Sequence, residues 1–317
     1  MVKQQTVDLR VRLGSVELAT PIVTSSGTGG YGLEYADFAD FRAIGAFFTK
    51  SITLEPRQGN PPPRAVETRA GLLNAIGLAN VGLEVFLKEK VPQFQRIPSP
   101  IFVNVAGRSI DEYTKVASRL DEVKQISGLE LNISCPNVKE GGITFGTDAR
   151  QVSKIVSAVR EVVKRCLLVV KLSPNVTDIL EPAKAAVEAG ADCLSLVNTF
   201  TSLAIDVEKQ RPVLANVTGG LSGPAIKPMA LYMVHRVYTQ LCQKAKVPII
   251  GIGGVQFGSD AVEFLLAGAT AVGVGTALFV EPNTPAILAE YIRKYLADRG
   301  LTSPAEITGK LQLSEES

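Results

Sequence analysis

Eight short apolar, β-branched runs recur along this chain, with helical periodicity between them. They occupy 21–24, 46–50, 101–105, 129–133, 167–171, 193–197, 247–251 and 271–275. Near-continuous apolar runs mark strands buried on both faces, and such strands belong to parallel sheets. Strand and helix repeated eight times predicts an α/β fold, a (β/α)8 or TIM barrel. The length of 317 residues is ordinary for such a barrel, so 1–317 reads as a single barrel domain. Ahead of the first run, residues 7–13 and 16–18 alternate around Gly14 and Ser15. That alternation predicts an N-terminal β-hairpin closing the bottom of the barrel.

Helical patterns fill the intervals. They predict helices over 148–164, 178–189 and 259–267, with Thr147 or Asp148 as a cap and Gly190 and Gly268 as stops. Two intervals, 50–100 and 198–246, are too long for a simple strand–helix unit and are rich in Gly and Pro. Long βα-loop insertions in a compact fold are usually functional.

Composition prunes the classes. A formal charge of +2 gives no broad attraction to nucleic acid or an anionic membrane. No apolar run approaches the roughly 20 residues of a membrane span. The polar start, Met1 to Gln5, argues against a signal peptide, and a cytoplasmic location is the simplest reading. Cys135, Cys166, Cys193 and Cys242 lie far apart with no CxxC pair, so neither a zinc site nor a chain-borne iron–sulfur cluster is suggested. His235, the only histidine, lies in a helix-like stretch without catalytic neighbours. It reads as a packing or surface residue, which sets aside Ser-His-Asp and Cys-His chemistry and histidine-based metal sites.

The strand ends carry the chemistry. They present Ser25-Ser26-Gly27, Lys50-Ser51, Asn104, Asn132 with Cys135, Lys171, Asn198-Thr199, Gly253-Gly254 and Gly275-Thr276. In a barrel all of these face one mouth, where such folds place their active sites. Cys135 stands in Asn132-Ile-Ser-Cys135-Pro-Asn137, a polar turn rather than the apolar setting of a structural cysteine. Glycines after the last two strands suit backbone N–H groups closing on a phosphate. Gly27-Thr-Gly29-Gly-Tyr-Gly32 matches GxGxxG, but the next strand ends in Lys50 where a ribose-binding acid would be needed, so the segment reads as a loop over the site. Gly219-Gly220-Leu-Ser222-Gly223 is either a turn or a stretch of amides facing a ligand. A phosphate site, two lysines and several amides suit FMN, with Lys171 beside the N1 and O2 edge of the ring. The asparagines suit a flat heterocycle with alternating carbonyl and N–H groups, and Lys50 suits a carboxylate on it.

Lys50-Ser-Ile-Thr, Asn74-Ala-Ile-Gly77-Leu78, the Cys135 turn and the stretch from Gly219 through Pro228 closely resemble dihydroorotate dehydrogenases. The resemblance covers nearly the whole chain and is to class 1, whose base is cysteine. The stretch 137–148 resembles the NAD-linked subclass 1B. One departure is Gly29, where relatives often carry an aromatic residue. The resemblance implies FMN at the barrel mouth, held by Ser26, Gly27, Lys50, Ser51, Asn104, Asn132, Lys171, Gly223, Gly253, Gly254, Gly275 and Thr276. It implies dihydroorotate held by Lys50, Asn74, Gly77, Leu78, Asn132, Asn137, Asn198 and Thr199. Cys135 would remove the C5 proton as hydride leaves C6, giving orotate, and 138–146 would close over the site. A partner subunit carrying FAD and a [2Fe–2S] cluster would pass electrons to NAD+, around a homodimer of this chain in a heterotetramer. Alternatives are a fumarate-linked class 1A enzyme, a pyrimidine-reducing flavoenzyme, or a sugar-phosphate isomerase or lyase on the same barrel.

Overall fold

The computed structural model describes residues 6–133, 146 and 148–313. Eight parallel strands run β1 (Ile22–Thr24), β2 (Phe47–Phe48), β3 (Ile101–Val105), β4 (Ile126–Asn132), β5 (Leu167–Lys171), β6 (Cys193–Leu196), β7 (Ile249–Ile252) and β8 (Ala271–Val274). They form one eight-stranded sheet in ring order, with β8 pairing β1 and a Val23–Ala46 bridge joining the two ends. Thr24 helps close that seam, because its hydroxyl accepts the Phe48 N–H at 2.8 Å. Each predicted run becomes a strand. β4 starts three residues before its predicted run, and β2 is only two residues long and leaves Lys50 beyond its end.

Helices follow β3 to β8 in turn: α1 (Ile110–Asp121), α2 (Ala149–Val162), α3 (Leu180–Glu188), α4 (Lys227–Val237), α5 (Gly258–Leu266) and α6 (Thr284–Ala297). The expected caps form. Asp148 accepts the Arg150 N–H at 2.8 Å, and Gly190 and Gly268 adopt φ of +101° and +113° beyond α3 and α5.

The inward faces of the strands divide by height. Val23, Ala46, Phe48, Phe102, Leu167, Val169, Cys193, Ile250 and Ala271 pack with Val11, Leu13 and Leu18 in one buried apolar cluster. Val11–Leu13 and Val16–Leu18 are the predicted hairpin, antiparallel around Gly14, and they seal the N-terminal end. Phe48 and Phe102 stack at 4.7 Å, and Gly128 makes room because a Cβ there would lie 2.2 Å from the Phe102 ring. Side chains two residues further along these strands share the same face, and on five strands those are polar: Ser25, Asn104, Glu130 with Asn132, Lys171 and Ser195, while β7 places Ile252 there.

The two insertions find each other. Phe200–Leu203, Thr218–Ser222, Gly71–Asn74 and Ala65–Thr68 form a four-stranded antiparallel sheet in that order. Gly219 to Ser222 is therefore strand, not turn. A Cβ at Gly219 would lie 2.7 Å from the Asn74 carbonyl oxygen, and one at Gly220 would lie 2.0 Å from Thr199 Oγ1. These glycines let Asn74 and Thr199 close on one strand. The hairpin seal predicts that Leu18→Ala costs about 2–5 kcal/mol, read as a lower denaturation midpoint. Exposed Glu17→Ala is expected to change stability by less than about 0.5 kcal/mol.

Candidate active site

Glu130 is buried inside the barrel at 1% exposure. A carboxylate there requires partners, since an unpaired buried charge is strongly unfavourable. Asn104 Nδ2 donates to Oε2 at 2.6 Å, Ser195 Oγ donates to Oε1 at 2.8 Å, and Lys171 Nζ lies 3.9 Å from Oε2. Strand register brings these groups together, with Asn104 opposite Glu130 and Lys171 opposite both Asn132 and Ser195.

The network extends upward to the expected cofactor residues. Lys171 Nζ donates to Ser26 Oγ at 3.0 Å, and Asn104 Nδ2 approaches the same hydroxyl at 3.2 Å. Asn104 Oδ1 accepts from Ser51 Oγ and, at 3.4 Å, from Asn132 Nδ2. Ser26, Ser51, Asn104, Asn132 and Lys171 are thus one connected set, as their places at strand ends imply. Tyr113 of α1 donates to the Asn132 carbonyl at 2.7 Å, fixing the end of β4.

The glycine loops also converge. Gly223 (φ +95°) precedes a turn that leads into α4, and Gly254 (φ +72°) follows β7. A Cβ at Gly223 would lie 2.6 Å from Gly71 Cα, and one at Gly254 would lie 2.8 Å from the Gly223 carbonyl oxygen. Thr276 Oγ1 donates to Ser222 Oγ at 2.8 Å, joining the loop after β8 to the same place. Gly275 adjoins Ser25, whose buried Oγ has no hydrogen-bond partner. An orphaned hydroxyl, glycines that admit no side chain and an adjacent helix start fit a phosphate, so these residues suit the FMN that the resemblance implies. Gly27, at φ +94° with open space around it, belongs to an irregular loop and not to a dinucleotide-binding turn. At Gly29 a Cβ would lie 2.9 Å from the Phe47 ring, so Phe47 occupies the room that an aromatic residue at 29 would need.

Of the residues expected to hold the substrate, Lys50, Asn74, Gly77, Leu78, Asn198 and Thr199 have intermediate exposure, while Asn132 is buried. Asn74 Nδ2 donates to the Gly220 carbonyl at 3.4 Å, and Asn198 Oδ1 accepts the Thr199 N–H at 2.9 Å. Gly77 and Leu78 both take positive φ, +76° and +58°, and Asn80 secures the turn by donating to the Leu78 carbonyl at 2.8 Å. Lys50 stands apart from the Glu130 network. Burial and the Arg64 charge pull its ammonium below the ordinary lysine value, with partial opposition from Glu34. Cys135 and Asn137, and 138–145 of the expected closing segment, lie outside the described residues. Cys166, Cys193 and Cys242 are buried, and burial raises each thiol above its ordinary value, consistent with structural roles. Among the described residues no cluster of His, Cys, Asp and Glu could hold a metal, and no helix is long and apolar enough to cross a membrane.

Glu130 and Ser195 were not among the residues expected at the site. The signal was parity: Glu130 shares a face with Asn132, and Ser195 follows Cys193 by two.

Convergent polar groups at the C-terminal mouth of a closed parallel barrel, above an apolar floor, define a barrel enzyme. The family model for dihydroorotate dehydrogenase matches residues 8–296, and the chain belongs to that family. Among its relatives is the "Dihydroorotate dehydrogenase B (NAD(+)), catalytic subunit" of Geotalea uraniireducens, 52% identical over 96% of this chain and 98% of the relative. The identically described proteins of Pelobacter propionicus and Geobacter sulfurreducens are 52% and 50% identical over 96% and 98% of this chain, and 99% and 100% of their own lengths.

A lysine with a depressed folded-state value favours folding in its uncharged form. It therefore weakens the fold at pH below that value, and the penalty fades as pH rises towards the ordinary lysine value. Lys50→Met is expected to be at least as stable as the parent at pH 7, with the margin shrinking at alkaline pH, while orotate affinity falls. Thermal melts across pH with an orotate titration check both.

Proposed function

We propose that this chain is the catalytic subunit of an NAD+-linked dihydroorotate dehydrogenase, oxidising (S)-dihydroorotate to orotate for pyrimidine synthesis. The observation that carries this reading is the connected lysine–amide–hydroxyl set at the mouth, with a second lysine left for a ligand carboxylate. The protein is read as one FMN-binding barrel with one FMN per chain, working in the cytoplasm.

FMN, when bound, supplies the hydride acceptor. Ser26, Ser51, Asn104 and Lys171 would hold its ring, and Gly223, Gly253, Gly254, Gly275 and Thr276 would surround its phosphate. Lys50 pairs with the substrate carboxylate. Asn74, Asn132, Asn137 and Asn198, with Thr199 and the Gly77–Leu78 backbone, orient the ring so that C5 meets the base and C6 the cofactor. Each amide offers both a donor and an acceptor to the alternating edge of the heterocycle.

Cys135 takes the proton from C5 as hydride leaves C6. C5 is a weak carbon acid, so the base must be both placed and ionised. A free thiol, with a value near 8.5, is only about 3% thiolate at pH 7. A partner subunit carrying FAD and [2Fe–2S] would take the electrons on to NAD+, the acceptor that the relatives' description carries. The assembly is read as a heterotetramer around a homodimer of this chain. That description of the relatives favours NAD+ over a fumarate-linked enzyme.

Anaerobic stopped-flow reduction by dihydroorotate tests the assignment. The reduction rate should rise from pH 6 until the thiol ionises, and a rate flat from pH 6 to 9 contradicts it. Cys135→Ala should slow reduction by about 10²-fold or more with orotate affinity retained. Unchanged reduction in that variant rules out this base.

A further inference from the structure

The Glu130 carboxylate has no part in the chemistry above, yet it lies at the centre of the polar layer. It meets Asn104 at 2.6 Å, Ser195 at 2.8 Å and the Lys171 ammonium at 3.9 Å. A carboxylate has only acceptors to offer, so it fixes which end of the Asn104 amide faces it. Nδ2 must point down to Glu130, which turns Oδ1 towards Ser51 and Asn132. Glu130 also places a negative charge against a lysine that is itself 5% exposed, in a region with little water to screen either.

We propose that Glu130 is the positioning and charge-balancing residue of the cofactor site, orienting Asn104 and offsetting the Lys171 ammonium so that the reduction potential of bound FMN is held down. The inference rests on the functional reading above. Lys171, beside the ring edge where negative charge accumulates on reduction, favours the reduced cofactor. Glu130, behind Lys171, opposes part of that effect. A lower potential is what a site needs if its electrons are to move on to a weak oxidant such as NAD+.

The charge separates cleanly from the hydrogen bonds. In Glu130→Gln the amide oxygen still accepts from Asn104 Nδ2, and the amide N–H donates to Ser195 Oγ, whose hydroxyl both donates and accepts. Only the charge is lost. The holoprotein should show the two-electron reduction constant of FMN raised about tenfold, which is about 30 mV. Sulfite, which adds to oxidised flavin to give an anionic adduct, should bind about tenfold more tightly. FMN content should hold within about threefold. Removing one member of a buried ion pair can cost stability, so Glu130→Asp is the second variant. It keeps the charge but falls a methylene short of Asn104, and should leave the potential near that of the parent while loosening FMN.

An unchanged or lowered potential in Glu130→Gln overturns the inference. So does a rise in Glu130→Asp as large as in Glu130→Gln. A parent protein that is reduced by dihydroorotate while Glu130→Gln keeps the parent potential sinks this inference alone. A parent that binds no FMN sinks the functional reading with it.

Discussion

Burying a carboxylate and an ammonium in the middle of a closed sheet is the constraint on which the site depends. Glu130 and Lys171 survive there because adjacent strands deliver Asn104 and Ser195 in register. A slip of one residue in β4 would turn Glu130 outward and an apolar neighbour inward. The apolar floor resists that slip. Phe102 fills the space that Gly128 leaves open, and the N-terminal hairpin seals the layer beneath. Packing at the bottom therefore holds the register that chemistry at the top requires.

The insertions complete what the barrel begins. A barrel mouth alone offers strand ends that face solvent. The four-stranded sheet, drawn from two distant parts of the chain, brings Asn74 and Thr199 to a common strand of glycines. The turn at Gly77 and Leu78 is held by Asn80, which also donates to Thr53 Oγ1 at 2.8 Å just beyond β2. The groups proposed to hold the substrate thus hang on a rigid frame rather than on free loops, as a site that must align two atoms of one ring requires.

Much of this was legible in the sequence, because the relevant signals are local. β3 and β5 run over the residues that their apolar patterns marked, and the caps at Asp148, Gly190 and Gly268 follow from single residue types. Lys171, Asn104 and Ser26 were visible as polar residues at the ends of apolar runs. Glu130 was not, because it stands inside an apolar run and not at its end, where the polar residues were sought. The paired insertions were also hidden, since the partner of Gly220 is Asn74, far away in sequence, and glycines carry no side-chain pattern. The Cys135 motif was the most specific local signal, and Cys135 itself lies outside the described residues.

The central claim is that this polar layer exists to hold a flavin that dihydroorotate reduces. The visible spectrum of the purified chain, before and after anaerobic addition of dihydroorotate, tests it most directly. The account predicts a yellow protein, with one FMN per chain, that bleaches on mixing. A colourless protein that cannot be reconstituted with FMN would contradict it and favour a sugar-phosphate barrel instead.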